Sequence, residues 1–372
     1  MRPESEAELA AMIKDAVAPL HIKGGGTREI GQPVTGAVLE TGGLSGITLY
    51  EPGALTIVAG AGTPLAEVEA ALDAEGQRLA FEPMDHRGLL GTVGTPTLGG
   101  VVAGNVSGPR RIQSGAARDF MLGVRFVDGR GTILKNGGRV MKNVTGYDLV
   151  KLMAGSRGTL GVVSQVSLKV LPKPESAATL VFQGLTDGEA VKVMNAALGS
   201  PFEITGAAHA PGADGATWLR IEGFEKSVDY RAGRLHALFS AYSPRIVTST
   251  DEVSAIWQAV RDVDVMKGQS GDVWRLSVKP SQAADLAARL RAKALLYDWG
   301  GGLIWALLAD GTDARAHLGG FDGHATLVRG SAQHRAALGV FQPESAPLAR
   351  LSQGLRARFD PRGLLNPGLM GG

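Results

Sequence analysis

Twenty-nine of the chain's 53 glycines lie between Gly24 and Gly161, about one position in five, where ordinary usage is roughly 7%. Val, Ile and Leu are threaded through the same window. It therefore reads as strands joined by tight turns, in which backbone must approach a neighbour or a ligand closely. No Gly-X-Y period runs through it, which excludes collagen. Hydrophobic residues make up 44% of the 372 positions, enough for a sizeable core, so the glycine excess does not signal disorder.

The chain has no cysteine. Disulfides, thiolate zinc or iron–sulfur sites and a cysteine nucleophile are excluded. Redox chemistry here needs a bound organic cofactor, or ligands made of oxygen and imidazole. The net charge is +2, with no basic run interleaved with aromatics, so nucleic acid is not expected as a partner. The longest apolar run, Leu303 to Ala309, is far below the roughly 18 residues of a transmembrane segment. Met1-Arg-Pro-Glu4 opens no signal-type apolar stretch. A cytoplasmic protein is expected.

Local patterns divide the chain. Ser5-x-x-Glu8 is a capping box, and Leu9, Met12, Ile13, Ala16 and Val17 mark one face of a first helix. The glycine window closes near Leu171-Pro-Lys-Pro174, a stiff segment suited to a boundary. Beyond it, strands near 178–185, 202–208, 217–222, 245–248, 273–279, 302–309 and 324–329 alternate with helices. Those helices are opened by Thr186-x-x-Glu189, Asp251 and Ser281, with another over 226–241. This βαββα pattern, run through twice, predicts an antiparallel sheet with helices on one side. A last helix over 345–358 leads into Phe359-Asp-Pro-Arg-Gly-Leu-Leu-Asn-Pro-Gly368. The fold class is α+β, with a first domain over 1–175 completed by a C-terminal return over 343–372, and a second domain over 176–342.

Three glycine clusters carry candidate chemistry. Lys23-Gly24-Gly25-Gly26-Thr27 follows a short strand. Successive unhindered N–H groups there make an anion nest suited to a pyrophosphate, and a plain tight turn is the competing reading. In Gly60-Ala-Gly62-Thr-Pro64, Thr63 is a helix N-cap and Pro64 the first helical residue. Glu82 lies where a ribose-binding acid of a dinucleotide fold belongs, yet the third glycine of that fingerprint is replaced by Leu65. The third cluster runs from Thr92 through Gly99, Gly100, Asn105 and Gly108. It would let backbone lie flat against a planar ring system, with Asn105 and Ser107 bonding its polar edge.

KGGGT, GAGTPLAE, TLGGVVAGN, NVTGYDL and GSRGTLG, in this order, resemble the FAD-binding domain of the vanillyl-alcohol oxidase and p-cresol methylhydroxylase superfamily. Within it, KNVTGYDLVKLMAGSRGTLGVV and FDPRGLLNPG are similar to the FAD-binding subunits of bacterial glycolate oxidase. The resemblance spans about residues 20–175 and 358–368. It implies a two-part FAD domain of the p-cresol methylhydroxylase type plus a cap domain with an antiparallel sheet. The pyrophosphate loop would map onto Gly24, Gly25, Gly26 and Thr27, with Gly60 and Gly62 in the following cluster. Flavin and ribityl contacts would map onto Thr92, Gly99, Gly100, Asn105 and Gly108. The adenine end would lie by Gly158, Gly161 and Val163, and Asn366 would reach the flavin from the C-terminal strand.

Covalent relatives attach the flavin through His or Cys. The nearest candidates here are His21 and His86, so noncovalent FAD is expected. Catalytic relatives also carry a cap metal site built from clustered histidines. The seven histidines form no HxxH or HxxxH pair, and Gly319-Gly-Phe-Asp-Gly-His324 lacks a second ligand, so no metal is expected. The resemblance implies a glycolate oxidase complex that oxidises a small 2-hydroxy acid, with a homologous catalytic FAD subunit and an iron–sulfur subunit as partners. It also implies peripheral attachment at the inner membrane through that complex. A noncatalytic FAD-binding docking subunit is the alternative. No catalytic residue is identified. Arg110 and Arg111 are candidates for steering an anion, and Tyr147 and Lys142 for neighbours of the isoalloxazine. Arg157 stands where catalytic relatives often carry an acid.

Overall fold

The computed structural model describes residues 1–140 and 146–371. At the N-terminus the Ser5 hydroxyl accepts from the Glu8 amide at 3.2 Å, and helix Glu6–Asp15 buries Leu9 and Ile13. β1 (Leu20–Lys23) pairs in parallel with β2 (Ala37–Glu40), and Leu365 of the C-terminal return also bridges Leu20. The segment before Gly24 is thus held by two distant pieces of chain.

The glycine window builds a five-stranded sheet. Its order is β3 (Ile47–Glu51), β4 (Thr56–Gly60), β8 (Val162–Lys169), β6 (Met121–Val127) and β7 (Ile133–Gly137). Two short strands, β5 (Gln77–Arg78) and β9 (Leu171–Pro172), form a separate ladder. Every pair in the five-stranded sheet is antiparallel, which overturns the dinucleotide-fold reading of Gly60-x-Gly62, since that fold needs parallel strands. Thr63 does not cap the next helix. Its hydroxyl accepts from the Gly46 amide at 2.9 Å, and Pro64 stands in the cap position before helix Leu65–Ala74.

Residues 176–329 form an eight-stranded antiparallel sheet. Its order is β13 (Arg245–Val247), β10 (Ser176–Gln183), β12 (Ala216–Gly223), β11 (Gly206–His209), β15 (Ala294–Asp298), β16 (Leu303–Leu308), β14 (Asp272–Val278) and β17 (Gly323–Arg329). This is one four-strand motif laid down twice. The two copies meet at β11 and β15, where His209 pairs with Tyr297. Helices Asp187–Leu198 and Glu225–Leu238 serve the first copy, and Ala283–Leu290 and Ala314–Leu318 the second. They cover one face through Val191, Met194, Leu235, Leu286 and Leu318.

The expectation of helices on one side only needs correction. Helix Thr250–Asp262 packs on the opposite face, setting Val253, Trp257 and Val260 against Val181, Ala208 and Val247. The remainder of that face, with Val273, Leu303, Trp305 and Leu307, shares one apolar core with Phe81, Phe126 and Val166. The cause is visible along β10, where Leu180 and Phe182 pack toward the four helices and Val181 toward the other side. A sheet apolar on both faces must be covered on both.

Candidate cofactor-binding cleft

A cleft of about 280 Å³ opens where β1, the helix after Thr97, the loop before β8 and the C-terminal return converge. Gly24, Gly25, Gly26 and Thr27 form one wall, Gly99 and Gly100 a second, and Gly158, Gly161 and Val163 with Asn366 a third. Two of these positions need glycine for different reasons. A Cβ on Gly25 would lie 1.6 Å from the Thr95 carbonyl oxygen, so the turn passes hard against that strand of backbone. Gly26 has φ +69°, and a Cβ there would meet nothing within 4 Å. The turn is therefore left-handed at a point that faces open space, the form of a backbone nest.

Five other candidate residues lie outside the lining. A Cβ on Gly60, Gly62 or Gly108 would sit 2.2–2.3 Å from the carbonyl oxygens of Leu44, Thr41 or Glu82. Ala61, between the first two, reaches the cleft instead. The Thr92 hydroxyl donates to the Thr27 carbonyl at 2.9 Å and braces the nest from behind. Asn105 ends helix Leu98–Gly104 in a left-handed conformation, and its side-chain oxygen accepts from the Arg118 amide at 3.0 Å.

The cleft is electropositive, a property carried by residues outside the glycine motifs. Arg28 follows the nest directly; its Nη1 donates to the Gly100 carbonyl at 2.6 Å and its Nε to His86 Nδ1 at 3.2 Å. Burial, with the Arg157 charge, pushes Arg28 down to about 9. Burial and the Arg28 charge hold the His86 imidazole well below its ordinary value, so it is neutral and free to accept. Arg157 is pushed down to about 10 by burial. It donates to the Ile30 carbonyl at 3.3 Å and lies 4.9 Å from the Phe341 ring centre. Arg335 also lines the cleft, with a buried Nε that has no partner. Among the described residues neither Arg28 nor Arg157 has a carboxylate partner, although uncompensated buried charge is costly. This is an arrangement that an anionic ligand completes.

The remaining candidates scatter. Arg110 is absorbed by ion pairs with Glu82 and Glu222, and Glu82 also pairs with Arg220. Arg111 lies against Trp299 at 4.9 Å. Tyr147 is 88% exposed, and Lys142 falls outside the described residues. His21 lines the cleft. His317 and His324 are exposed. The one group of His and acidic residues with metal-like spacing among the described residues is Asp272, Asp310 and His334, which excludes both. Arg28 carried a signal in its position directly after the nest, whereas Arg275, Trp299 and Trp305, described below, are brought together only by the fold.

Residues 1–137 match the family model of an FAD binding domain. Over 358 residues, 95% of this chain and 92% of the relative, the sequence is 38% identical to glycolate oxidase subunit GlcE of Escherichia coli (strain K12). The chain belongs to the GlcE family of glycolate oxidase subunits. FAD is accordingly the cofactor of this GlcE-type protein. A D-lactate dehydrogenase of Archaeoglobus fulgidus is 31% identical over 186 residues, 48% of the chain and 40% of that relative. Among solved structures, 4-ethylphenol oxidase from Gulosibacter chungangensis superposes with a TM-score of 0.74 at 13% identity, over the full chain and 88% of the neighbour. That likeness, shared with p-cresol methylhydroxylase at a TM-score of 0.70, assigns the fold. The sequence relatives place the GlcE-type chain among FAD-linked oxidoreductases. Among its described residues no helix is long and apolar enough to cross a membrane.

Proposed function

We propose that this chain is an FAD-binding subunit of a glycolate oxidase assembly that oxidises a small 2-hydroxy acid to the 2-oxo acid. The observation that carries the reading is the conjunction of an open glycine nest at Gly24–Thr27 with buried arginines on the same cleft, Arg28 and Arg157, that make no salt bridge among the described residues. An elongated anionic cofactor fits both, and a neutral one would leave the arginines uncompensated. Gly24, Gly25, Gly26 and Thr27 would hold the pyrophosphate. Gly99 and Gly100 would lie against the flavin end, and Gly158, Gly161 and Val163 against the adenine end, with Asn366 closing the wall. Thr92 and Asn105 would act by fixing these loops, and Gly60, Gly62 and Gly108 by close packing behind them. Residues 1–175 and 343–372 would form the FAD unit, and 176–342 the cap.

Removing two electrons and two protons from the hydroxy acid requires a hydride acceptor, which the flavin supplies when bound. The chain contributes binding, orientation and a neutral His86 beside Arg28. With no cysteine to ligate a cluster, onward electron transfer falls to partners, a homologous flavin subunit and an iron–sulfur subunit. Attachment is noncovalent, so acid precipitation of the holoprotein would leave its flavin in the supernatant. The purified chain, reconstituted with FAD, is expected to show a flavin spectrum that bleaches on anaerobic glycolate addition.

One observation favours the second reading, an FAD-bearing subunit that docks a catalytic partner without turning over itself. His317 and His324 are exposed and, among the described residues, belong to no group with metal-like spacing, which favours a chain that does not itself use the histidine site the resemblance associates with catalysis. A flavin spectrum that glycolate leaves unbleached supports this reading. Absence of any flavin after reconstitution overturns both.

A further inference from the structure

A second set of cations lies away from the cleft lining, in the seam between the glycine-rich region and the eight-stranded sheet. On β14, Arg275 alternates with Trp274 and Leu276, which pack among the helices, so it stands on the face turned toward the first sheet. Its cross-strand neighbour on β16 is Trp305. The guanidinium carbon lies 5.1 Å from the Trp299 ring centre and 5.9 Å from that of Trp305. Arg111 comes from the other side of the seam and lies 4.9 Å from the same Trp299 ring. Trp299 is itself pinned, its Nε1 donating to the Gly108 carbonyl at 3.0 Å. One anchored indole thus holds two guanidinium groups, an arrangement stabilised by cation–π attraction.

Neither arginine makes a salt bridge or a side-chain hydrogen bond among the described residues, although the Asp119 charge acts on Arg111 and the Asp298 charge on Arg275. Burial, with the Arg111 and Arg157 charges, pushes Arg275 down to about 10, which still leaves it cationic at neutrality. Both arginines are half-buried rather than sealed. Donors that are fixed, charged, unpaired and reachable form a built anion site. The donor plane is that of a guanidinium held beside flat indole rings, which suits the two coplanar oxygens of a carboxylate.

We propose that Arg275 and Arg111, held by Trp299 and backed by Trp305, form a seat for the carboxylate of a small organic acid. The proposal rests on the reading of the chain as a hydroxy-acid flavoprotein, and gives that substrate its anchoring residues.

Tryptophan fluorescence of the full chain, titrated with glycolate and with oxalate at constant ionic strength, tests the seat without requiring bound flavin. Wild type is expected to give a saturable change that Trp299→Phe abolishes. Arg275→Met is expected to weaken binding roughly 30-fold or more, and Arg275→Lys to recover part of it, because the charge returns without the fork. Arg111→Met serves as the second variant if circular dichroism shows that Arg275→Met has not folded. No saturable response in wild type, or wild-type affinity in both methionine variants, overturns the seat. Equal affinity for sulfate overturns the carboxylate assignment. A chain that binds FAD but no carboxylate defeats this proposal alone, whereas one that binds carboxylate but no FAD defeats the flavin reading alone.

Discussion

Arg110 grips Glu222 with both arms, Nε to Oε2 and Nη2 to Oε1 at 2.8 Å each. The pair joins the loop after Gly108 to β12, and Arg78 adds a third donor to Glu222 at 2.7 Å. Both side chains are nearly buried, at 11% and 5% exposure. Removing the carboxylate charge would leave the Arg78 guanidinium without its carboxylate and Arg110 with Glu82 alone in a dry seam. Glu222→Gln is therefore expected to cost about 3–5 kcal/mol, read as a lower urea midpoint. The double variant Arg110→Met/Glu222→Met should recover part of that loss, since no unpaired charge remains at that pair.

The same seam sets the acid limit of stability. Burial alone would raise the Glu82 carboxyl, but Arg220 and Arg110 outweigh it and hold it below the ordinary carboxylate range. Burial is likewise overcome at Glu222, where Arg220, Arg110 and Arg78 hold the carboxyl well below that range. A lowered folded-state pKa means stabilisation that is fully present above the unfolded value of about 4.3 and lost as pH falls through the folded values. Urea unfolding is expected to be level in this contribution from pH 7 to 5 and to weaken progressively below about pH 4.3. Glu82→Gln and Glu222→Gln should be less stable at pH 7 and show a shallower acid slope.

Asp298 works in the opposite direction. Burial and the Glu82 charge push it up to about 7, against the pull of the Trp299 amide, Arg220 and Arg275. A raised folded-state pKa favours the protonated acid, so this contribution is full below about 3.9 and is lost as pH rises toward 7. Asp298→Asn keeps an acceptor for the Trp299 amide, now 2.7 Å from Asp298 Oδ1. It is expected to gain between about 1 and 4 kcal/mol over wild type at pH 8 and nothing at pH 3. An equal effect at both pH values would show that Asp298 does not titrate as described.

Local chemistry made part of this molecule legible. Thr186 and Glu189 form the reciprocal capping box their spacing announces, because both partners lie within one turn. The doubled strand–helix pattern was readable for the same reason. β15 was not: Ala294–Asp298 is only five residues long, and although Trp299-Gly-Gly-Gly302 marks a turn between it and β16, the short run before that turn does not read as a strand. Ser281, expected as a cap, sits instead in a 3₁₀ turn before helix Ala283–Leu290. In the cleft, glycine spacing indicated which loops converge but not which glycines face the ligand. Gly60 and Gly62 point at backbone while Ala61 reaches the space. Arg28 was marked by its place directly after the nest, but its convergence with Arg157, and that of Arg275 with Arg111, was beyond sequence reasoning because these residues lie far apart in the chain and their lack of salt bridges emerges only after folding.

Asn366 offers the sharpest test of how the cleft is assembled. Its Oδ1 accepts from the Ile22 amide at 2.8 Å, and its Nδ2 donates to the Arg157 carbonyl at 2.8 Å. One amide side chain therefore clips β1, just before the glycine nest, to the loop carrying Arg157 and Gly158. Asn366→Ala leaves a buried donor and a buried acceptor without partners, each worth about 1–3 kcal/mol, and releases the loop. FAD affinity, measured by quenching of flavin fluorescence on adding apoprotein, is expected to fall about tenfold or more. Asn366→Asp keeps the acceptor for Ile22 but faces the Arg157 carbonyl with an oxygen, so it should restore the β1 contact without the loop contact and bind FAD no better than the alanine variant. Full affinity in Asn366→Asp would show that the Arg157 loop does not need the clip, and full affinity in both variants would remove Asn366 from the site.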